Sequence, residues 1–130
     1  MISQFLMDNY YARYTGDKDI VPTKEQIDQA IANYPDKMVT IGALQIEGVA
    51  FFLTLTDETY AKLESIDISD LDTLKSLCLE NGKNVHFVLV CGSGVRNILR
   101  GIKKTIERVH PKSISWWEPD FSYLHRYNMN

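Results

Sequence analysis

The sequence predicts an α/β fold in which helices cover both faces of a mixed central sheet. Two observations carry this prediction. Residues 85–117 read as strand, loop, helix and strand, an order that implies a right-handed crossover between parallel strands. Residues 38–41 and 46–55 read as two strands in direct succession, which implies an antiparallel hairpin. A mixed sheet between two layers of helices is the simplest arrangement that satisfies both.

The segment from residue 85 to residue 117 shows its elements most clearly. Residues 85–91 are apolar and rich in β-branched side chains, as in a buried strand, and Gly92-Ser93-Gly94 interrupts them. Pro111 ends the helix that follows, and residues 113–117 form a second short strand. The side chains expected on the buried face of that helix recur at spacings of three and four, and they are Val95, Ile98, Leu99, Ile102, Ile106 and Val109.

The other helices are assigned from capping residues and from glycine and proline boundaries. Thr23, with Gln26 three residues later, has the pattern of a capping box, so a helix is predicted from there to residue 33. Thr56 is predicted to cap a short helix that reaches residue 63. The remaining helices are expected over residues 3–14, from Ser69 or Asp70 to Cys78 with Asn81 and Gly82 as the C-cap pair, and from Pro119 to about residue 127.

Length and composition favour a single domain over residues 1–130. The sequence has no apolar run near the ~20 residues that span a bilayer, and its N-terminus lacks a signal-peptide pattern, so we expect a cytoplasmic protein without a membrane partner. Cys78 and Cys91 are too few for a disulfide framework and are expected to stay reduced. With His86 they have no metal-ligand spacing, so no metal is predicted.

Charge is distributed unevenly along the chain. The formal net charge is −3, yet residues 96–130 contain seven basic residues against three acidic ones. A positive field on the helix after the glycine loop favours an anionic ligand, although a solvated helix face would look the same. Nucleic acid is the less favoured ligand, because aromatic residues do not alternate with the basic ones as stacking platforms would.

The glycine loop itself has the chemistry of a phosphate site. A glycine turn that leads into a helix presents free backbone N–H groups and the positive end of the helix dipole. Arg96 and Arg100 follow near the helix start, where a guanidinium can bind two phosphate oxygens at once. The alternative is that the glycines only make a tight strand-to-helix connection. The predicted anion site consists of Gly92, Ser93, Gly94, Val95 and Arg96, with Arg100 beside it.

From about residue 38 onward, the element order and three motifs resemble the GNAT (GCN5-related N-acetyltransferase) superfamily. Residues 46–52 (IEGVAFF) are similar to the end of its hairpin, residues 91–96 (CGSGVR) resemble its pyrophosphate loop, and residues 123–129 (YLHRYNM) resemble its late aromatic motif. The sequence departs from the family in the loop, where Cys91 or Leu89 stands at the usual Gln/Arg position. It also has Leu124 at the usual tyrosine, and it stops before the final strands, as a shortened, degenerate member would.

The resemblance implies acetyl-CoA or another acyl-CoA as a small-molecule acyl donor, and an amine as acceptor. The coenzyme pyrophosphate would lie on the glycine loop, and backbone N–H groups of Val88, Leu89 and Val90 would polarise the thioester carbonyl. Tyr123 is the candidate acid, with Tyr127 second, and a rim or core tyrosine is the alternative. His86 or Glu118 would deprotonate the amine; the alternatives are a structural histidine and a strand-end residue.

Two functions of different classes therefore remain. One is an N-acyltransferase, and the other is a catalytically silent GNAT-like domain that acts through protein contacts, as a homo-oligomer or a phage accessory protein. The departures from the motifs favour the second, and absent terminal strands would leave a sheet edge for a partner chain to cover.

Overall fold

The computed structural model describes residues 2–13, 23–68, 70–118 and 122–129. Within them the chain forms five α-helices and five strands, with short 3-10 helices at Tyr11–Arg13, Pro35–Lys37 and Leu63–Ser65. The helices are α1 (Ile2–Asn9), α2 (Lys24–Asn33), α3 (Asp57–Ala61), α4 (Leu71–Leu77) and α5 (Val95–Val109). The strands are β1 (Met38–Ile41), β2 (Gly48–Leu55), β3 (Asn84–Gly92), β4 (Ser113–Trp117) and β5 (Leu124–Asn128).

The strands form one sheet in the order β1-β2-β3-β4-β5. β3 and β4 are parallel, with Asn84 opposite Ser113 at one end of the register and Phe87 opposite Trp116 at the other. β4 and β5 are antiparallel, with Trp116 opposite His125. The sheet is therefore mixed, as predicted, and the strand–helix–strand crossover joins neighbouring parallel strands.

The chain divides into two compact units. One consists of Met1–Ala50 and Leu89–Thr105, and the other of Phe51–Val88 and Ile106–Asn130. Each unit has its own set of buried apolar side chains. In the first unit these are Leu6, Ile27, Met38, Val39, Val49, Ala50 and Cys91. In the second they are Phe52, Leu53, Leu55, Leu63, Leu77, Cys78, Val85, Phe87, Ile114 and Leu124.

The capping residues predicted from the sequence are confirmed. Thr23 Oγ1 accepts a hydrogen bond from Gln26 N at 3.2 Å, and Thr23 N donates to Gln26 Oε1 at 2.8 Å, which completes the capping box of α2. Thr56 caps α3 and Asp70 caps α4 in the same way, each by accepting from the backbone N–H three residues on.

The predicted last helix is wrong over its described part. Residues 124–128 form β5 instead, while Pro119 and Asp120 lie outside the described residues. Leu124 is buried, and pairing with β5 satisfies backbone groups along one edge of β4. That tertiary pairing outweighs the local helix signal, as it commonly does for short segments.

The buried face of α5 also differs from the predicted stripe. Val95 and Leu99 are exposed, whereas Gly101 and Thr105 are buried. A Cβ added at Gly101 would lie 3.6 Å from the Ala50 Cβ, so a small residue lets the helix pack closely there. The Thr105 hydroxyl donates to the Gly101 carbonyl at 2.9 Å, which satisfies it inside the protein.

Gly82 was predicted to close α4, and this prediction is wrong. The helix already ends at its C-cap, Cys78, and the N–H of Gly82 donates to the Thr54 carbonyl at 2.9 Å. A Cβ at Gly82 would lie 1.8 Å from the Leu55 carbonyl oxygen. The glycine is needed because two backbone segments approach each other, and not because a helix ends there.

Candidate functional site

The glycine loop lies between the end of β3 and the start of α5. Gly94 has a φ of +103°, and a Cβ there would meet nothing within 4 Å. A Cβ at Gly92 would approach the Ile98 nitrogen to 2.9 Å. Gly92 thus permits a close approach of backbone, as the tight-connection alternative requires, while Gly94 adopts a left-handed conformation beside open space.

Hydrogen bonds to the β1–β2 connection hold the loop. Ser93 N donates to the Glu47 carbonyl at 2.9 Å, and its hydroxyl donates to the same oxygen at 3.3 Å. Asn97 Nδ2 donates to the Ser93 hydroxyl at 3.1 Å, and Gly94 N donates to the Gly92 carbonyl at 3.0 Å. Two of the backbone N–H groups predicted to bind phosphate are therefore already used within the protein.

The remaining groups predicted for an anion lie on the first turns of α5. Val95 and Arg96 open the helix, where helix geometry provides no backbone acceptor for their N–H groups. The side chains of Val95, Arg96 and Arg100 are exposed. These groups can still present two N–H donors and two guanidinium groups to an anion.

Val88, Leu89 and Val90 occupy the part of β3 beyond its register with β4. That register ends at Phe87, and β3 continues to Gly92. The three side chains are half-buried.

His86 lies inside the second unit. Its side chain is fully buried, and Nδ1 is 2.8 Å from the Ser115 hydroxyl oxygen, while Nε2 is buried without a hydrogen-bond partner among the described residues. Burial lowers the pKa of His86 to about 4, and the positive charge of Arg126 adds to this effect. At neutral pH the imidazole is therefore uncharged and enclosed, which favours the structural alternative over the role of a base.

Glu118 and Tyr123 lie together, on the opposite face of the sheet from His86. Glu118 N donates to the Tyr123 carbonyl at 2.9 Å, and Glu118 Oε1 is 2.5 Å from His125 Nε2. His86 is opposite Ser115 in the register, and Trp116, the next residue, is opposite His125. Because successive side chains alternate between faces, His86 and His125 point to different sides.

Trp116 and His125, which were not predicted as site residues, lie beside Glu118 and Tyr123. The Trp116 ring stacks on His125 at 5.1 Å between centroids and 15° between planes, and the Tyr123 ring meets His125 edge-on at 4.7 Å. His125 was missed because the segment was predicted as a helix. A strand assignment together with the antiparallel register would have placed Trp116 and His125 side by side, since they are opposite each other there.

A polar cleft of about 410 Å³ lies on the other face of the second unit. At its wall Lys112 Nζ is 2.5 Å from Asp57 Oδ1, and Asn84 Nδ2 donates to that oxygen at 2.8 Å. The hydrogen bond from Lys112 is the main reason why the pKa of Asp57 is lowered. Ser113 donates to Asn84 Oδ1 at 2.6 Å. Because these groups satisfy one another, we interpret the cleft wall as a structural network.

Among the described residues, no group of three or more His, Cys, Asp or Glu side chains is arranged to hold a metal ion. No helix in this part of the chain has the length and apolar character needed to cross a membrane.

Comparison with known proteins places the fold. No protein-family model matches the sequence, and no curated protein matches it either. The solved structure of the loading GNATL domain of CurA from Lyngbya majuscula is similar, with a TM-score of 0.57 at 15% sequence identity over 92% of this chain. This chain spans 65% of the length of that one. The mixed five-stranded sheet, its crossover helix and this similarity show that the chain has a GNAT-like α/β fold.

Proposed function

We propose that this protein binds an acyl-CoA, with the pyrophosphate on the loop from Gly92 to Arg96, and transfers the acyl group to an amine. The observation that carries the proposal is Gly94, which immediately precedes α5, has a φ of +103° and would carry a Cβ with nothing within 4 Å. A phosphate there would be attracted by the helix dipole and by the guanidinium groups of Arg96 and Arg100. The GNAT-like fold supports this reading.

The hydrogen bonds of the loop restrict how the phosphate is held. Ser93 N and Gly94 N already donate to protein carbonyls, so the proposed donors are the N–H groups of Val95 and Arg96. The hydrogen bonds from Ser93 to the Glu47 carbonyl anchor the loop to the β1–β2 connection. Such preorganisation reduces the entropy lost on binding.

Acyl transfer needs a neutral amine, a polarised thioester carbonyl and a proton for the departing thiolate. In our proposal the lone pair of the neutral amine attacks the carbonyl carbon, and the carbon–sulfur bond then breaks. The nitrogen gives up one proton, and the departing thiolate takes up one. Backbone N–H groups of Leu89 and Val90, which belong to the same unit as the loop, are the proposed donors to the carbonyl. Glu118 and Tyr123, the groups that the resemblance implies as proton carriers, belong to the other unit, so the proposal for the loop does not depend on them. His86 takes no part, because its buried imidazole does not reach solvent.

The test is thermal unfolding with and without millimolar acetyl-CoA. Ligand at about 100 times its Kd adds roughly 2.7 kcal/mol to the free energy of unfolding, which raises the Tm by several degrees. Gly94→Trp fills the open space and should abolish the shift. Gly94→Ala is the matched control, because it has the same backbone strain but adds a Cβ with nothing within 4 Å. Its shift should be that of the wild type.

The absence of a shift in the wild type would contradict the proposal. The catalytically silent domain would then be the better reading, and a search for protein partners would replace the search for acceptors. An equal loss of the shift in Gly94→Ala and Gly94→Trp would show that strain in the loop, and not the occupied space, prevents binding.

A further inference from the structure

Four side chains form a cluster on one face of β4 and β5, which we call the aromatic corner: Trp116, Glu118, Tyr123 and His125. His125 lies at its centre, stacked on Trp116, in edge contact with Tyr123 and 2.5 Å from the Glu118 carboxylate. All four residues belong to the second unit. Glu118 and Tyr123 are also joined through their backbones, so the cluster has a defined geometry.

The corner is open to solvent despite its large aromatic surface. Trp116 is 40% exposed, Tyr123 is 60% exposed, and the Glu118 side chain is 44% exposed. Glu118 Oε1 contacts His125, whereas Oε2 has no hydrogen-bond partner among the described residues. Aromatic faces and a carboxylate oxygen are thus presented to solvent together.

These groups select for a cation. The faces of indole and phenol rings carry negative potential and attract ammonium groups, and a carboxylate adds a full negative charge and a hydrogen-bond acceptor. An anion would be repelled by Glu118, and a purely apolar ligand would bury the carboxylate without a partner. We propose that the aromatic corner binds the protonated amino group of a primary amine, with the ammonium on Glu118 Oε2 and its carbon chain against Trp116 and Tyr123.

This inference goes beyond the proposed function and does not rest on it. The aromatic corner belongs to one unit and the glycine loop to the other, and binding of the amine needs no acyl-CoA. It can therefore be tested separately, with the full chain and no coenzyme.

The probe is benzylamine, and benzyl alcohol is the matched neutral ligand. We would titrate each at constant ionic strength and neutral pH while following the two indole N–H resonances by NMR. Trp117 is an internal reference, because its side chain alternates to the other face of β4. We expect a saturable shift of the Trp116 resonance with benzylamine, and binding of benzyl alcohol that is weaker by about fivefold.

Two variants and one control locate the site. Glu118→Gln and Tyr123→Leu should each weaken benzylamine binding by about two- to fivefold. Glu58→Gln removes a carboxylate that is 83% exposed on α3, away from the aromatic corner, and should leave the affinity unchanged. Equal affinity for the amine and the alcohol would overturn the inference, and so would wild-type affinity in Glu118→Gln.

The two proposals fail in different ways. Glu118→Gln should keep the Tm shift with acetyl-CoA, and Gly94→Trp should keep benzylamine binding. Benzylamine binding at the corner without any acetyl-CoA effect would refute the acyl-CoA proposal and leave an amine site. A Tm shift with acetyl-CoA in a protein that does not bind benzylamine would refute the amine site and leave the acyl-CoA proposal standing.

Discussion

Protonation of His86 should make the stability of this protein depend on pH in a defined window. The folded state lowers the pKa of this imidazole from 6.5 to about 4, chiefly because the ring is buried. Between these values the unfolded chain binds a proton that the folded chain does not. Stability should therefore fall as the pH drops from about 6.5 and level off below about 4. The full difference corresponds to about 3 kcal/mol, of which about 2 kcal/mol is lost by pH 5.

The measurement is urea unfolding of the wild type and His86→Gln at several values between pH 7 and pH 4. Glutamine keeps a polar group for the Ser115 hydroxyl but does not titrate. The free energy of unfolding of the wild type minus that of His86→Gln should decrease by about 3 kcal/mol from pH 7 to pH 4. Other titrating groups cancel in this difference. An NMR titration of the His86 ring should give a pKa of about 4 directly.

Parallel pH profiles for the two proteins would refute the reasoning, because they would mean that His86 has the same proton affinity in both states. Carboxylates do not confuse the result. Hydrogen bonds lower the pKa of Asp57 and of Asp70 in the folded protein from 3.8. Their contribution to stability is present above that value and is lost at lower pH. It therefore changes the free energy of unfolding mainly below the pH range in which His86 titrates.

Three substitutions test other parts of the fold. Gly82→Ala places a Cβ 1.8 Å from the Leu55 carbonyl oxygen, so it should cost about 1–3 kcal/mol and lower the Tm; an unchanged Tm would disprove that contact. Thr23→Ala removes the N-cap of α2 and should cost about 1 kcal/mol in urea unfolding, most of which Thr23→Ser should restore. Asn84→Ala leaves Ser113 without its acceptor and should cost about 1–3 kcal/mol; a loss below the precision of the unfolding curves would rule out a stabilising role for the cleft network.

Local signals predicted much of the fold correctly. The capping box at Thr23 and the caps at Thr56 and Asp70 are set by residues three positions apart, and all are present in the structure. The strand β3 could be predicted because its residues are largely apolar and β-branched and because it ends at Gly92. Such features depend on neighbours in sequence, which is why they can be read without a structure.

Features that depend on distant partners were missed. The segment near the C-terminus that was expected to be a helix forms the strand β5, because its backbone pairs with that of β4. The stripe on α5 was assigned from hydrophobicity, whereas the side of the helix that is buried contains Gly101 and Thr105, which are small. At Gly101 and Thr105, small side chains let the helix pack closely on its neighbours, and this outweighs the burial of a large apolar area.

The candidate sites show the same division. The glycine loop was found because glycines before a helix form a local pattern, but its hydrogen bonds to Glu47 join residues far apart in sequence. The aromatic corner depends on Trp116 lying opposite His125, which only the antiparallel register shows. The buried state of His86 likewise depends on what packs over it, so one histidine in a strand could not be distinguished from another.

The two buried polar pairs between β3 and β4 specify how these strands align. Asn84 pairs with Ser113, and two residues further along the same face His86 pairs with Ser115. β3 is longer than β4, so β4 has room to slide along it. A slip by one residue would place the two members of each pair on opposite faces of the sheet. A slip by two residues would place Ser115 opposite Val88 and leave Asn84 without its partner. Each misaligned state buries unsatisfied polar groups, so the free energy of those groups favours the native alignment of β3 and β4 over its neighbours.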